Sequence, residues 1–348
     1  MKTLETNRLI LRKFSQNDFA AVHSYGSNSQ NMIYMMWGPN TENDTRTYIN
    51  TAIKMAEENP CTAFHFAAEL KETGAVIGGC TINMTDKGDN TAEIGWLIRH
   101  EHWQQGYGFE MGKKMLEFGF EELGLNRIFS RCDAENIASY RLMEKLGMRR
   151  EGLYFDNRPP HKQSFRDYSD GLSYAMLKVE WDVAKEIAYY NSLPVSFTDF
   201  VSIPTLADGD IFLICTAKRL GNPEKKHVPS YHFAVCKGSE QIGEVNLRIG
   251  YGGGPKNDNL YYGGHVGYTI NEAWRGNNYA ARACKLLAPI ARAHGMTKLL
   301  ITNTHTNIPS RRVCEKLGAR HIRLARLPEW NDLYIGGQRF INIFEWNV

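Results

Sequence analysis

The sequence predicts a mixed α/β (α+β) fold built twice in tandem, each copy a mixed, mostly antiparallel sheet flanked by helices. Three observations carry this. The chain repeats itself: Phe64-His65-Phe66-Ala67-Ala68 returns as Tyr231-His232-Phe233-Ala234-Val235, and Glu93-Ile94-Gly95-Trp96 as His265-Val266-Gly267-Tyr268. Asn136-Ile-Ala-Ser139 returns as Asn307-Ile-Pro-Ser310, and Glu144-Lys-Leu-Gly147 as Glu315-Lys-Leu-Gly318. The matches keep their order at separations of about 170 residues, far too long for a solenoid unit, so each copy is a complete domain. The length of 348 residues agrees, being two domains at a prior of about 150 residues each. Finally, segments of period two come early in each copy and helical segments later, as in a meander followed by strand–helix alternation.

Along the first copy, Arg8–Arg12 alternates as a strand, Asn17 or Asp18 caps a helix, and 44–58 has helical spacing. Ala63–Leu70 and Ala75–Met84 form a hairpin around Glu72-Thr73-Gly74, and Thr91–Ile98 is the next strand. Phe109–Glu122 is helical, with Gly124 as its stop. Arg127–Asp133 is a strand, Ile137–Leu146 a helix closed by Gly147, and two further strands follow. The last of them, Tyr174–Trp181, closes the copy. Asp182 then reads as the N-cap of a short helix, Val183–Tyr190, broken by Asn191-Ser-Leu-Pro194. The domains are placed at 1–182 and 201–348, with 183–200 as linker.

Composition removes several function classes. Hydrophobic residues at 43% and charged residues at 23% exclude a disordered chain, a coiled coil and a collagen. A net charge of +3 is too weak to argue for nucleic acid as a partner. No apolar run approaches the roughly 18 residues of a membrane span. Met1–Arg8 has no apolar core of a secretory signal, so the expected location is cytoplasmic. Seven widely spaced cysteines without a CxxC pair point to free thiols and no metal site.

The chemistry is expected between strand and helix. Thr91–Ile98 runs into Trp103-Gln104-Gln105-Gly106-Tyr107-Gly108 and then a helix from Phe109. A glycine-bearing loop entering a helix presents backbone N–H groups and the helix dipole to an anion such as a pyrophosphate. Gly106 and Gly108 would let the backbone come close. A tight turn without a ligand explains the same two glycines.

Together with the loop, Glu5-Thr-Asn-Arg8-Leu-Ile-Leu-Arg12, Asn136–Ser139, Glu144–Met148 and Phe165–Trp181 resemble the GCN5-related N-acetyltransferase (GNAT) superfamily, in particular its RimJ/RimL ribosomal-protein branch. The second copy resembles it in Tyr261–Ala280 and Asn307–Ala319, and more loosely in Asp332–Val348. The resemblance implies acetyl-CoA as co-substrate, no metal, and direct acetyl transfer to a primary amine, either a small molecule or a protein N-terminus. It implies that Thr91–Ile98 and Arg127–Asp133 splay apart. Ile94, Gly95, Trp96 and Leu97 would then bind the pantetheine arm, a backbone N–H near Trp96 or Leu97 would polarise the thioester, and Gln104 to Phe109 with Asn136 would complete the site. Tyr268, Arg275, Gly276, Asn278, Tyr279, Ala280 and Asn307 are the second copy's counterparts.

Glu93 and its counterpart His265 take the place of a general base. A salt-bridged strand carboxylate and a satisfied core histidine explain them equally well. Ser139 and Ser310 would hydrogen-bond the departing thiolate, while helix capping already accounts for Asn136 and Ser139. The family's tyrosine acid is missing, since Met143 and Cys314 stand in its place. Asn278 replaces the key glycine; asparagine tolerates positive φ, but its side chain would crowd the pyrophosphate, which Arg275 would offset. The alternative reading is therefore one catalytic domain beside a degenerate ligand- or partner-binding copy, in a pseudo-dimeric monomer or a homodimer, without nucleic-acid or membrane partners. His65 and His232 line an acceptor cleft or pack as ordinary strand histidines. Gly250–Gly254 is expected as a hairpin loop.

Overall fold

Alternate burial decides the first strands: Leu9 and Leu11 are fully enclosed while Ile10 and Arg12 are only partly covered. The computed structural model describes residues 1–86, 88–159, 168–222, 224, 227–251 and 259–348. It divides into two units, Met1–Asp182 and Val183–Val348.

The first unit starts with Leu4–Glu5 (β1), Leu9–Lys13 (β2), Phe19–Gly26 (α1), Ser29–Met32 (α2) and Glu42–Glu57 (α3). A capping box between Thr41 and Asp44 starts α3. Ala63–Leu70 (β3), Val76–Asp86 (β4) and Thr91–Ile98 (β5) form the meander, followed by Tyr107–Glu117 (α4), Arg127–Asp133 (β6), Ile137–Lys145 (α5), Arg149–Arg158 (β7) and Ser169–Leu177 (β8). The eight strands make one sheet in the order β1-β2-β3-β4-β5-β6-β8-β7, and β5–β6 is its parallel pair. One face packs Phe66, Ile82 and Ile94 with Met111, Met115 and Leu116 of α4. The other packs Ala67 and Leu97 with Val22, Tyr25, Ile49 and Ala52 of α1 and α3. Parallel pairing covers Thr91↔Arg127, Ala92↔Ile128 and Glu93↔Phe129, and beyond Glu93 the strands part.

Two expectations change. The helix after the loop begins at Tyr107, and from Phe118 it widens into a π-turn over Phe118–Glu122. Gly119 permits this close approach, since a Cβ there would lie 2.5 Å from Ile128 Cδ1. The closing strand stops at Leu177, and Lys178–Trp181 open a helix, Lys178–Asn191 (α6). Glu180 turns back to accept the Leu177 N–H at 2.9 Å, Lys178 pairs with Asp182 one turn on, and Trp181 Nε1 donates to Glu121 at 2.7 Å. Asp182 thus lies inside the helix rather than capping it, and the short helix expected at Val183–Tyr190 is the later part of α6.

The second unit comprises Ala207–Asp208 (β9), Ile211–Arg219 (β10), Ser230–Lys237 (β11), Glu240–Arg248 (β12), Asn259–Gly263 (α7), Val266–Ile270 (β13), Tyr279–Leu286 (α8) and Ala288–Ala293 (α9). Lys298–Thr304 (β14), Ile308–Leu317 (α10), Arg320–Arg326 (β15), Asp332–Ile335 (α11) and Phe340–Asn347 (β16) complete it. Here the sheet is divided into β13-β12-β11-β10-β9 and β14-β16-β15. Residues 252–254 of the glycine-rich stretch, and 165–167 of the segment Phe165–Trp181, lie outside the described residues. No helix among the described residues is long and apolar enough to cross a membrane.

Candidate functional site

In the first unit, Gln104 (φ +59°) and Gly106 (φ +84°) turn the chain left-handed before α4. The first helical bond runs from the Glu110 N–H to the Gly106 carbonyl. The N–H groups of Tyr107, Gly108 and Phe109 therefore have no carbonyl partner inside the helix, and with the helix dipole they form an anion seat. Any L side chain at Gly106 is strained by its φ. Gly108 also serves packing. Its missing Cβ makes room for Leu142 Cδ2, 3.0 Å from where that atom would sit, so it packs α4 against α5.

A brace holds this loop. Thr6 Oγ1 and the Arg8 N–H donate to Glu110 Oε1 at 2.5 and 2.6 Å, and Arg8 Nε donates to Oε2 at 2.8 Å. Arg8 also reaches the Gln105 carbonyl at 3.1 Å and lies 4.2 Å above the Tyr107 ring. Burial pushes the Glu110 pKa up, but the bonds from Thr6 and Arg8 outweigh it, and the group lies below the ordinary carboxylate value. Trp103 Nε1 donates to the last strand carbonyl, Ile98, at 2.7 Å. Sequence reading missed this brace; an acid in the first turn of the helix was the available signal.

Past Glu93 the two parallel strands expose backbone to each other. Ile94 is 1% exposed in the core, so this stretch offers backbone rather than side chains on that side. Arg131 donates to both Glu93 oxygens, at 3.0 and 2.9 Å, a half-exposed pair worth about 0–1 kcal/mol. Asn136 caps α5 by accepting the Ser139 N–H at 3.1 Å. Burial raises the Cys132 thiol to about 11 against a hydrogen bond with Ser139. Met143 is core.

On the α1–α3 face lies a cavity of about 410 Å³, bounded by β3, β4, the two helices and Gly95–Leu97 of β5. Tyr25, Trp37 and Tyr48 wall it, together with His65 and Asn83. His65 stacks obliquely 5.8 Å from Tyr48. Its Nδ1 and the Asn83 Oδ1 are buried and have no hydrogen-bond partner among the described residues. Burial lowers the His65 pKa, and the nearby Asn83 carboxamide pulls it partly back. The sequence placed His65 on its strand but did not single out Asn83.

The second unit repeats the loop with the glycine moved. Gly276 (φ +85°) and Asn278 (φ +65°) take the two left-handed places, and the first helical bond runs from the Arg282 N–H to the Asn278 carbonyl. The turn survives the substitution, leaving Tyr279, Ala280 and Ala281 as free donors. Arg275 Nε donates to the Ile270 carbonyl at 3.0 Å, as Trp103 does to Ile98. The brace is reversed in charge: Arg282 on the helix meets Asp208 at 2.9 Å and Asp210 at 2.8 Å.

The cleft has changed more. His265 is 0% exposed. Its Nδ1 accepts the Leu300 N–H at 2.7 Å, which places the ring proton on Nε2, and Nε2 donates to the Gly250 carbonyl at 2.7 Å. Burial drives its pKa down to about 4. Asn307 caps Ser310 at 3.1 Å, and the Tyr268 hydroxyl bonds Ser310 Oγ at 2.8 Å. Cys314 is core. No group of three or more His, Cys, Asp or Glu that could hold a metal occurs among the described residues.

The model of a family described as the acetyltransferase (GNAT) domain matches residues 8–149 and again 187–320. The chain belongs to the GNAT acetyltransferase family. Each matched stretch contains one loop–helix anion seat, so both units are GNAT domains. The chain is similar to the uncharacterised N-acetyltransferase YnaD of Bacillus subtilis (strain 168), 36% identical over 179 residues, 51% of this chain and 99% of that protein. It is similar to the uncharacterised N-acetyltransferase p20 of Bacillus licheniformis, 36% identical over 157 residues, 45% of this chain and 87% of that protein. Among solved structures, a GNAT-family acetyltransferase from Bacillus anthracis is 36% identical, with a TM-score of 0.44, over 51% of this chain and 99% of that one.

Proposed function

We propose that the first GNAT domain transfers the acetyl group of acetyl-CoA directly to a primary amine, and that the second retains the CoA-loop shape without catalysing transfer. The observation that carries the reading is the meeting, in the first domain, of the left-handed Gly106 cap, a strand pair open past Glu93, and a cavity reaching Gly95–Leu97.

The N–H groups of Tyr107, Gly108 and Phe109 suit the pyrophosphate, and the open edges of β5 and β6 suit the pantetheine as an added strand. A backbone N–H at Trp96 or Leu97 would polarise the thioester carbonyl. Ser139, at the start of α5, would donate to the departing sulfur. Glu93 has both oxygens committed to Arg131 and in this reading shapes the cleft mouth.

In the second domain both His265 nitrogens are committed to backbone, so neither can take a proton from an amine. The strand register also places Arg248, whose N–H bonds His265, where Asn83 faces Glu93 in the first domain. That cation repels an ammonium.

The test uses the full chain with acetyl-CoA and a panel of primary amines, with released thiol as readout and calorimetry for stoichiometry. Thiol release with any amine supports the reading. The absence of both thiol release and acetyl-CoA binding overturns it.

A further inference from the structure

Protein interiors seldom leave a buried polar atom without a partner, and the first domain's cavity leaves two, the Asn83 Oδ1 acceptor and His65 Nδ1, which accepts when the ring proton is on Nε2. Both belong to residues lining a space that also reaches Gly95, Trp96 and Leu97. A ligand that brings N–H donors is the chemistry this pair lacks.

The rest of the wall narrows that ligand. Tyr25, Met35, Trp37 and Tyr48 give apolar and aromatic surface, and among the described residues no lysine or arginine lines the cavity. Its volume of about 410 Å³ is that of a small-molecule site. We propose that it seats a compact primary amine with an apolar body, that His65 takes the amine's proton, and that Asn83 accepts a hydrogen bond from the same nitrogen. The proposal rests on the acetyltransferase reading.

His65 is the available proton acceptor by elimination of its neighbours. Tyr25 of α1, Tyr48 of α3 and Cys80 of β4 are held protonated, each raised by burial. Asp44 of α3 accepts the Thr41 hydroxyl at 2.7 Å and the Thr41 N–H at 2.9 Å. Glu93 of β5 is held by Arg131 of β6. Burial lowers the His65 pKa, so the ring is neutral at pH 7 and able to accept, and Asn83 favours the charged ring that results.

In the second domain the side chains at these two strand positions have partners, and the buried acceptor left without a donor among the described residues is instead Asn246 Oδ1, across the strand pair from His232. His232 has Ser230 Oγ at 3.1 Å, and the counterpart of Asn83 is Arg248, bonded to the carbonyls of Gly263 and Gly264 at 3.1 and 2.9 Å.

The step balances. The ammonium gives one proton to His65 Nδ1, and the free amine attacks the acetyl carbonyl carbon. The N–C bond forms, the C–S bond breaks, and the sulfur leaves with the electron pair. The second amine proton ends on that sulfur, giving the thiol, and His65 releases its proton to solvent. Nothing is oxidised or reduced.

The experiment uses the full chain with acetyl-CoA and phenethylamine as the probe, against spermidine and a short peptide with a free N-terminus, following thiol release across pH. Phenethylamine is expected to give the highest kcat/KM. His65→Gln is expected to lower kcat/KM about 100-fold or more, to remove the acid limb of the profile, and to leave acetyl-CoA affinity unchanged. Asn83→Asp sets a carboxylate beside the ring and is expected to move the acid limb to higher pH. A His65→Gln enzyme with wild-type rate and acid limb, or an acid limb unmoved by Asn83→Asp, overturns the role of His65 and leaves the acetyltransferase reading standing. Preference for spermidine or the peptide overturns the amine class. A wild-type chain that releases no thiol with any of the three overturns both.

Discussion

Strands β5 and β6, and their counterparts β13 and β14, begin from one register and end as different structures. In the first domain three residue pairs join the strands before they part at Glu93. In the second, one backbone bond survives, from the His265 N–H to the Leu300 carbonyl at 2.7 Å, and the His265 ring replaces the lost pairing by bonding Leu300 and Gly250. The loops beside these clefts, by contrast, are nearly the same. A phosphate loop asks for left-handed dihedrals and free N–H groups, which Gln104/Gly106 and Gly276/Asn278 both supply. A transfer site asks for particular side chains at particular atoms, and there Glu93 and His265 differ. In these two domains the loop backbone agrees where the cleft side chains do not.

The contrast can be broken at the loop. Gly106→Val forces a β-branched residue to φ +84° and is expected to lower acetyl-CoA affinity at the first domain about 100-fold or more, with transfer lost alongside. Calorimetry on the full chain measures it, and unchanged affinity would refute the loop assignment.

A second substitution copies one domain into the other. Asn83→Arg brings the Arg248 charge to the first cavity. Transfer is expected to fall about 100-fold while acetyl-CoA affinity stays within about threefold. Equal loss of both would show a damaged fold rather than a repelled amine.

The third prediction concerns the buried His265 ring. His265 has its folded pKa depressed from 6.5 to about 4, so its contribution to stability is full above pH 6.5 and is lost as pH falls through that window. The loss approaches about 3 kcal/mol near pH 4. Thermal unfolding across that range checks it, and a His265→Gln chain is expected to lose most of the slope.

The smallest effect separates two carboxylate roles. Glu93→Gln is expected to lower turnover by less than about tenfold and to leave the acid limb in place, since it breaks only the pair with Arg131. A fall of about 100-fold or more would return the proton to Glu93.

The strands that alternate cleanly were legible to the residue: Ala63–Leu70, Thr91–Ile98 and Arg127–Asp133 stand where period two puts them. Lys178–Trp181 was not, because tertiary partners decide it: Glu180 folds back on Leu177, and Trp181 finds Glu121 across 60 residues of chain. The Asn278 turn was legible from asparagine's tolerance of positive φ. The commitment of His265 was not, because it depends on Leu300 and Gly250, which no local pattern brings near. His65 reads as a strand histidine until Asn83 is set beside it and both His65 Nδ1 and Asn83 Oδ1 are seen to lack a partner.

The two braces have a consequence for how such a chain folds. Two similar domains in one polypeptide risk exchanging equivalent segments, with one copy's leading strand docking on the other copy's helix. Here that exchange would set Arg8 against Arg282, and Asp208 and Asp210 against Glu110. Like charges would meet at each wrong joint and opposite charges at each right one, so each loop carries the address of its own domain.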